Sequence, residues 1–166
     1  MPVSEAGLDG GGKVRALVID DLAALVRAAT EAGARLRAVS AYRSERKQAE
    51  VFAGWESSRG HDSALAGSAR PGHSEHQLGT AIDFGSALGA APWSGEWGGS
   101  TEGRWMADNA WRYGFVLSYP AGSSPGGTCY QAESWHYRYV GHDEAAAVHN
   151  AGVSLREYLW RIGAGA

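Results

Sequence analysis

GHSEHQLGTAIDF, residues 72–84, sets two histidines, His73 and His76, two glycines, Gly72 and Gly79, and one aspartate, Asp83, in thirteen positions. A core strand gains little from such a mixture; a metal site is made of these groups. Zinc takes imidazole nitrogen at about 2.0–2.1 Å and carboxylate oxygen at about 2.0–2.2 Å, and a catalytic site keeps one position open, so three protein ligands are the number to find. His76 and Asp83 supply two. Seven positions apart, they would face opposite sides of a straight strand. Both reach one ion only if the chain turns between them, and Gly79 is where a turn costs least.

The third ligand must come from elsewhere in the chain, and ESWH (133–136) pairs a histidine with a nearby carboxylate. A zinc hydrolase needs a base to take a proton from its water. Glu133 suits that task, with His136 as ligand. Their spacing requires a turn, bulge or helical bend, and the residues alone leave the choice open. His61, His142 and His149 read as surface residues, and His73 as a residue of the cleft rim.

The bulk properties narrow the function further. The chain has 166 residues, enough for one domain with a real core. A net charge of −3 without long runs of either sign argues against nucleic acid or an anionic membrane as the main partner. Cys129 is the single cysteine, so neither an intrachain disulfide nor a CxxC knuckle is available. No apolar run approaches a membrane span. The opening MPVSEAGLDGGGK lacks a basic-then-apolar signal pattern, so any signal peptide is expected to lie outside this sequence.

Along the chain, residues 1–13 read as a flexible lead with three consecutive glycines, and 14–166 as a single domain. Apolar residues at helical spacing predict a helix over 14–32 stopped by Gly33. RLRAVSAY (35–42) predicts a strand and 44–53 a helix, followed by a polar loop over 54–72. Residues 87–103 read as a surface loop in which Trp93 and Trp97 line a groove, and 101–111 as a helix capped by Thr101. FVLSY (115–119) and ESWHYRYVG (133–141) read as strands joined through a turn-rich connection at 121–127, with Tyr137 and Tyr139 on one side of the second. Helices near 143–151 and 154–162 follow, the latter opened by Ser154 with Glu157 as a capping box. The expected architecture is α+β, a small central antiparallel sheet flanked by helices.

SEHQLGTAIDF together with ESWHYRYVG, preceded by SAYRSERKQ, resembles the zinc-dependent D-alanyl-D-alanine carboxypeptidases of the VanY type, and WMADNAWRYGFVLSYP (105–120) fits between the metal segments. The resemblance runs from about residue 13 to 141 and implies a hedgehog/DD-peptidase-like fold. It implies that His76, Asp83 and His136 hold one Zn2+, that Glu133 is the catalytic base, and that Arg43 polarises the scissile carbonyl. Gln48 and Ser74 match positions that hold the substrate's terminal carboxylate or adjacent backbone, and Trp135 fills the aromatic position beside the third ligand. Two departures are AES before Trp135, where a proline is frequent, and SAYRS in place of SGYRS. Neither removes a chemical group.

Elementary chemistry agrees with that transfer. Attack on an amide builds negative charge on its oxygen, and a fixed guanidinium facing it lowers the barrier. The implied activity is removal of the terminal D-Ala from peptidoglycan stem peptides by a water activated on zinc. The expected enzyme is an extracytoplasmic, cell-wall-directed monomer whose partner is a stem peptide ending in D-amino acids. The alternatives are L,D-carboxypeptidase or endopeptidase action on the same peptides, and a non-catalytic zinc binding module, the use to which hedgehog puts this scaffold.

Overall fold

The computed structural model describes residues 1–89, 91–94, 97–122 and 130–164. Five strands are found among them: β1 (Asp9–Gly10), β2 (Leu36–Ser40), β3 (Ala81–Ser86), β4 (Phe115–Leu117) and β5 (His136–Tyr139). The helices are α1 (Ile19–Glu31), α2 (Glu45–Arg59), α3 (His61–Gly67), α4 (Thr101–Asn109), α5 (His142–Ala151) and α6 (Leu155–Gly163). The strands form one sheet in the order β1-β2-β3-β5-β4, antiparallel except for the β1–β2 pair at its edge.

The alternation of a strand divides the two faces of this sheet. Ile82 and Phe84 of β3 are fully buried, in one cluster with Phe115, Tyr137, Leu22 and Leu25 of α1, and Met106 of α4. Phe84 meets Phe115 and Tyr137 edge to face, with ring centroids at 6.3 and 5.9 Å. Each such side chain contributes about 1.5–3 kcal/mol by leaving water. Asp83 and His136, being out of phase with this set, face the other side. A smaller cluster of Val116, Ala145, Val148 and Leu155 ties α5 and α6 to the end of the sheet.

Residues 1–13 differ from the flexible lead expected of them. Val3, Ala6 and Leu8 are buried in the main cluster, and the Val14 N–H donates to the Met1 carbonyl at 2.8 Å. The glycines serve close approach instead of mobility. A Cβ on Gly10, whose φ is +96°, would sit 2.0 Å from the Ala38 carbonyl oxygen. The apolar Val3 and Leu8 were outweighed by the glycine composition, which reads as linker only when no strand edge is there to receive it.

The polar loop expected over 54–72 is largely helical. α2 continues past Gly54 and Ser58, whose hydroxyl donates to the Gly54 carbonyl at 2.8 Å, until Gly60 at φ +82°. α3 then folds back so closely that a Cβ on Gly67 would meet the Trp55 ring at 2.7 Å. At α4 the cap is Ser100, which accepts from the Gly103 N–H, and not Thr101. Trp97 is buried in the core cluster, while Trp93 stays exposed. Ser154 caps α6 as expected. Most of the connection expected at 121–127 lies outside the described residues.

Candidate metal centre and active cleft

His76 sits in a short 3-10 turn, Glu75–Leu78, ended by Gly79 at φ +71°. The Gly79 N–H donates back to the His76 carbonyl at 3.2 Å, and the chain then enters β3. Gly79 thus folds the seven-residue interval, bringing His76 to the face on which Asp83 points. Asp83 is the direct cross-strand partner of His136 in the β3–β5 register. A turn over Glu133–His136, closed by the His136 N–H donating to the Glu133 carbonyl at 3.1 Å, delivers His136 to the start of β5.

The donor atoms of His76, Asp83 and His136 lie within 4.8 Å of one another, and all three residues are buried. His76 Nε2 is 3.1 Å from Asp83 Oδ2, and His136 Nδ1 is 2.8 Å from Asp83 Oδ1. Ligands on a tetrahedral zinc at about 2.0–2.1 Å stand about 3.3 Å apart, so these spacings suit a shared cation. The other nitrogen of His76, Nδ1, lies 2.7 Å from the Ala41 carbonyl. A carbonyl only accepts, so Nδ1 carries the proton and Nε2 is free to ligate. Burial alone would raise the Asp83 carboxyl, but His76 and His136 hold it well below the usual carboxylate range. A His2Asp set of this kind fits zinc.

Glu133 Oε2 stands 3.9 Å from His136 Nδ1, at the edge of the donor set. Burial pushes its carboxyl up to about 7, with Asp83 and Glu75 reinforcing the shift and His136 and Arg43 opposing it. Arg43 borders the donor set as well. Its Nη2 is 3.9 Å from Asp83 Oδ2 and donates to Ser40 Oγ at 2.8 Å, while Nη1 donates to Gln48 Oε1 at 2.9 Å. Ser40 is paired with Asp83 across β2–β3, where the register shifts, so a strand irregularity positions the arginine's anchor.

Gln48 borders the cleft, and its side chain is tied into the protein. It is 1% exposed, and its amide nitrogen donates to the Ala69 carbonyl at 2.6 Å and to Ser68 Oγ at 3.2 Å. With its oxygen on Arg43, its polar atoms are engaged within the protein. Ser74 is buried at the cleft wall, and Trp135 packs its half-buried ring against the core while lining the same cleft. The cleft encloses about 670 Å³ and includes Arg43, Glu133, Trp55, Trp93 and Tyr119. Tyr119 lies over His136 with ring centroids at 5.0 Å. His73 lines an adjoining groove instead. His61, His142 and His149 are surface residues engaged with Glu56, Asp21 and Trp111 respectively.

One residue of the site escaped the sequence reading. Glu75 Oε2 lies 2.9 Å from His136 Nε2 and accepts from Ser118 Oγ at 2.7 Å, and Oε1 accepts from Arg138 Nη1 at 3.0 Å. Burial opposes its ionisation, yet these donors hold its carboxyl down at about 2. Its place beside His76 was the only local signal, since its partners lie 43 to 63 residues away.

The family model for VanY, D-alanyl-D-alanine carboxypeptidase, matches residues 11–142. The D-alanyl-D-alanine carboxypeptidase of Enterococcus faecalis is 33% identical over 161 residues, covering 92% of this chain and 58% of that protein, so this chain spans little more than half of its relative. Among solved structures, the LdcB LD-carboxypeptidase superposes with a TM-score of 0.81 at 36% identity, over 88% of this chain and 68% of that one. The D,D-pentapeptidase VanY from a VanB-type resistance cassette, solved as a mutant with Zn(II), gives a TM-score of 0.76 at 31% identity over 92% and 86% of the two chains. A match reaching from just after β1 to the first residue of α5, and so through both metal-facing segments, leaves one conclusion: the chain belongs to the VanY family of D-alanyl-D-alanine carboxypeptidases.

Proposed function

We propose that this chain is a zinc-dependent D,D-carboxypeptidase that removes the terminal D-Ala from peptidoglycan stem peptides, acting outside the cytoplasmic membrane where those peptides lie. The observation that carries the reading is the convergence of a buried His-Asp-His donor set with Glu133 and Arg43 on one cleft. A zinc ion held by His76, Asp83 and His136 would supply Lewis acidity and lower the pKa of a water. Glu133, whose buried carboxyl stands at the edge of the donor set, takes the proton of the attacking water and returns it to the departing D-Ala amine. Arg43 offers its guanidinium to the oxygen on which charge develops, and because Ser40 and Gln48 hold it beforehand, little reorganisation is needed. Ser74 and Trp135 bound the part of the cleft that receives the terminal residue. A purely structural metal site has no use for either Glu133 or Arg43, which favours catalysis over a binding module.

The L,D reading has its own support, since LdcB, with a TM-score of 0.81, is an LD-carboxypeptidase. The two are separated by product analysis. Metal-stripped protein is offered a pentapeptide ending in D-Ala-D-Ala and a tetrapeptide ending in a single D-Ala, with and without one equivalent of zinc. Zinc-restored loss of one D-Ala from the pentapeptide, read by mass spectrometry, is the expected result. Loss from the tetrapeptide alone establishes the L,D activity. No release from either by zinc-loaded protein overturns the carboxypeptidase reading.

A further inference from the structure

The two candidate histidine ligands present different nitrogens to the site, and a different partner enforces each. For His76 the partner is a backbone carbonyl, Ala41. For His136 it is a side chain. Its Nδ1 faces Asp83, and its Nε2 points away from the donor set to Glu75 Oε2 at 2.9 Å. Glu75 is itself held at both oxygens, by Ser118 on one and Arg138 on the other. Arg138 lies two residues beyond His136 on β5, hence on the same face of the sheet. Ser118 follows β4, and its N–H donates to the His136 carbonyl at 3.2 Å. The carboxylate is therefore held by Ser118 and Arg138 against His136, in a frame built by two strands.

We propose that Glu75 is a positioning residue that fixes His136 as the Nε2–H tautomer, so that Nδ1 is the atom turned to the metal and metal affinity depends on a carboxylate that never touches the ion. This rests on the zinc reading above. A neutral imidazole has one N–H and one lone pair. An ionised carboxylate accepts and cannot donate, so a proton at Nε2 is the arrangement Glu75 permits, leaving the Nδ1 lone pair for the site. The same bond fixes the ring plane and makes the imidazole a stronger donor, and losing such an outer partner typically weakens metal binding by about 10–100-fold. Glu75 is the chain neighbour of His76, so the 3-10 turn that presents one histidine also clamps the other. A slip of that turn would disturb both ligands together.

The test uses the full chain and zinc itself. Zinc affinity is measured by competition with a chromophoric chelator for the wild type, Glu75→Ala and Glu75→Gln, and imidazole tautomers are read from long-range proton–nitrogen NMR spectra of the zinc-loaded proteins. The wild type is expected to show His136 protonated at Nε2 and metal-bound at Nδ1, with His76 reversed. Glu75→Ala is expected to bind zinc about 10–100-fold more weakly. Glu75→Gln, whose amide oxygen can still accept from Nε2–H, should recover part of the loss. If Glu75→Ala does not fold, the glutamine variant and the wild-type spectrum decide. His136 ligating through Nε2 in the wild type, or unchanged zinc affinity in a folded Glu75 variant, overturns the proposal. Wild-type protein that takes up no zinc removes the metal reading and this proposal with it. Zinc uptake with the expected tautomers but no peptide hydrolysis defeats the carboxypeptidase reading alone.

Discussion

Gln48→Ala separates two roles for one residue. A side chain that touches substrate can be removed at little cost to the fold, with KM carrying the loss. A buried anchor cannot. Gln48 is 1% exposed and bonds to Arg43, Ser68 and Ala69, joining the start of α2 to the segment after α3. Truncation leaves the Ala69 carbonyl without this donor, at a cost of about 1–3 kcal/mol if water does not replace it. The one buried methylene lost adds about 0.8 kcal/mol. The sum is roughly 3 kcal/mol, a large share of the about 5–15 kcal/mol by which domains are stable. At about 2–4 °C per kcal/mol for a chain of this size, the melting temperature should fall by about 6–12 °C. Arg43 keeps Ser40 but loses its second support, so kcat should drop by about tenfold, a fraction of the 10²–10³ typical of deleting an oxyanion donor. Thermal melts by circular dichroism and kinetics on a D-Ala-D-Ala peptide read both effects. An unchanged melting temperature with a rise in KM alone would refute the anchoring role and return Gln48 to the substrate.

Four further outcomes are expected. Glu133→Gln should keep one zinc per chain while kcat falls by about 10²–10⁴-fold, the range for loss of general base catalysis; metal analysis beside kinetics checks it. Chelation should lower the melting temperature and zinc restore it, since a ligand at about 1,000 times its Kd adds about 4 kcal/mol; identical melts would sink the metal site. Gly10→Ala puts a Cβ 2.0 Å from the Ala38 oxygen at φ +96°, so it should free the first residues to limited proteolysis, which an unanchored lead would undergo in the wild type as well. The Asp21 pair to Tyr139 and His142 joins α1 to β5 and α5. Its hydrogen bond to Asp21 raises the His142 pKa, so that part of the stability is complete below about 6.5 and fades as pH climbs through the folded value. Burial would raise Asp21, but Tyr139 and His142 lower it, so its contribution holds above about 3.9 and is lost as pH falls through the folded value. The bond is therefore strongest between these limits. Solvent screening keeps it below about 1 kcal/mol, and Asp21→Asn should flatten the pH dependence of the melting temperature above neutrality.

His76, Asp83, Glu133 and His136 could be singled out as candidates from the chain, because metal ligation and amide hydrolysis demand particular chemical groups in short motifs, whereas Arg43 entered through the family resemblance; the fold brings all five to one cleft. Gly79 was legible for a related reason, being the one position in its interval that enters the left-handed region at low cost. The order of helices and strands followed from periodicity, and the errors fell where composition was a poor guide. Gly54 and Ser57–Ser58 looked like loop, yet α2 runs through them because Trp55 and Phe52 find packing partners. The triglycine looked like linker, yet its first member, Gly10, pairs with Ala38 of β2 at the sheet edge.

What only the tertiary structure decided are relations between distant segments. The β3–β5 register that sets Asp83 opposite His136, the burial that lifts Glu133 toward neutrality, and the Gln48 bonds that aim Arg43 all depend on neighbours far along the chain. So does Glu75, whose carboxylate meets Ser118, His136 and Arg138 only once β4 and β5 have paired. Local sequence specifies which groups exist and which turns are allowed. Distances, burial and proton placement arise from packing, so the candidate ligands could be named from the chain, while the frame that holds them had to be seen folded.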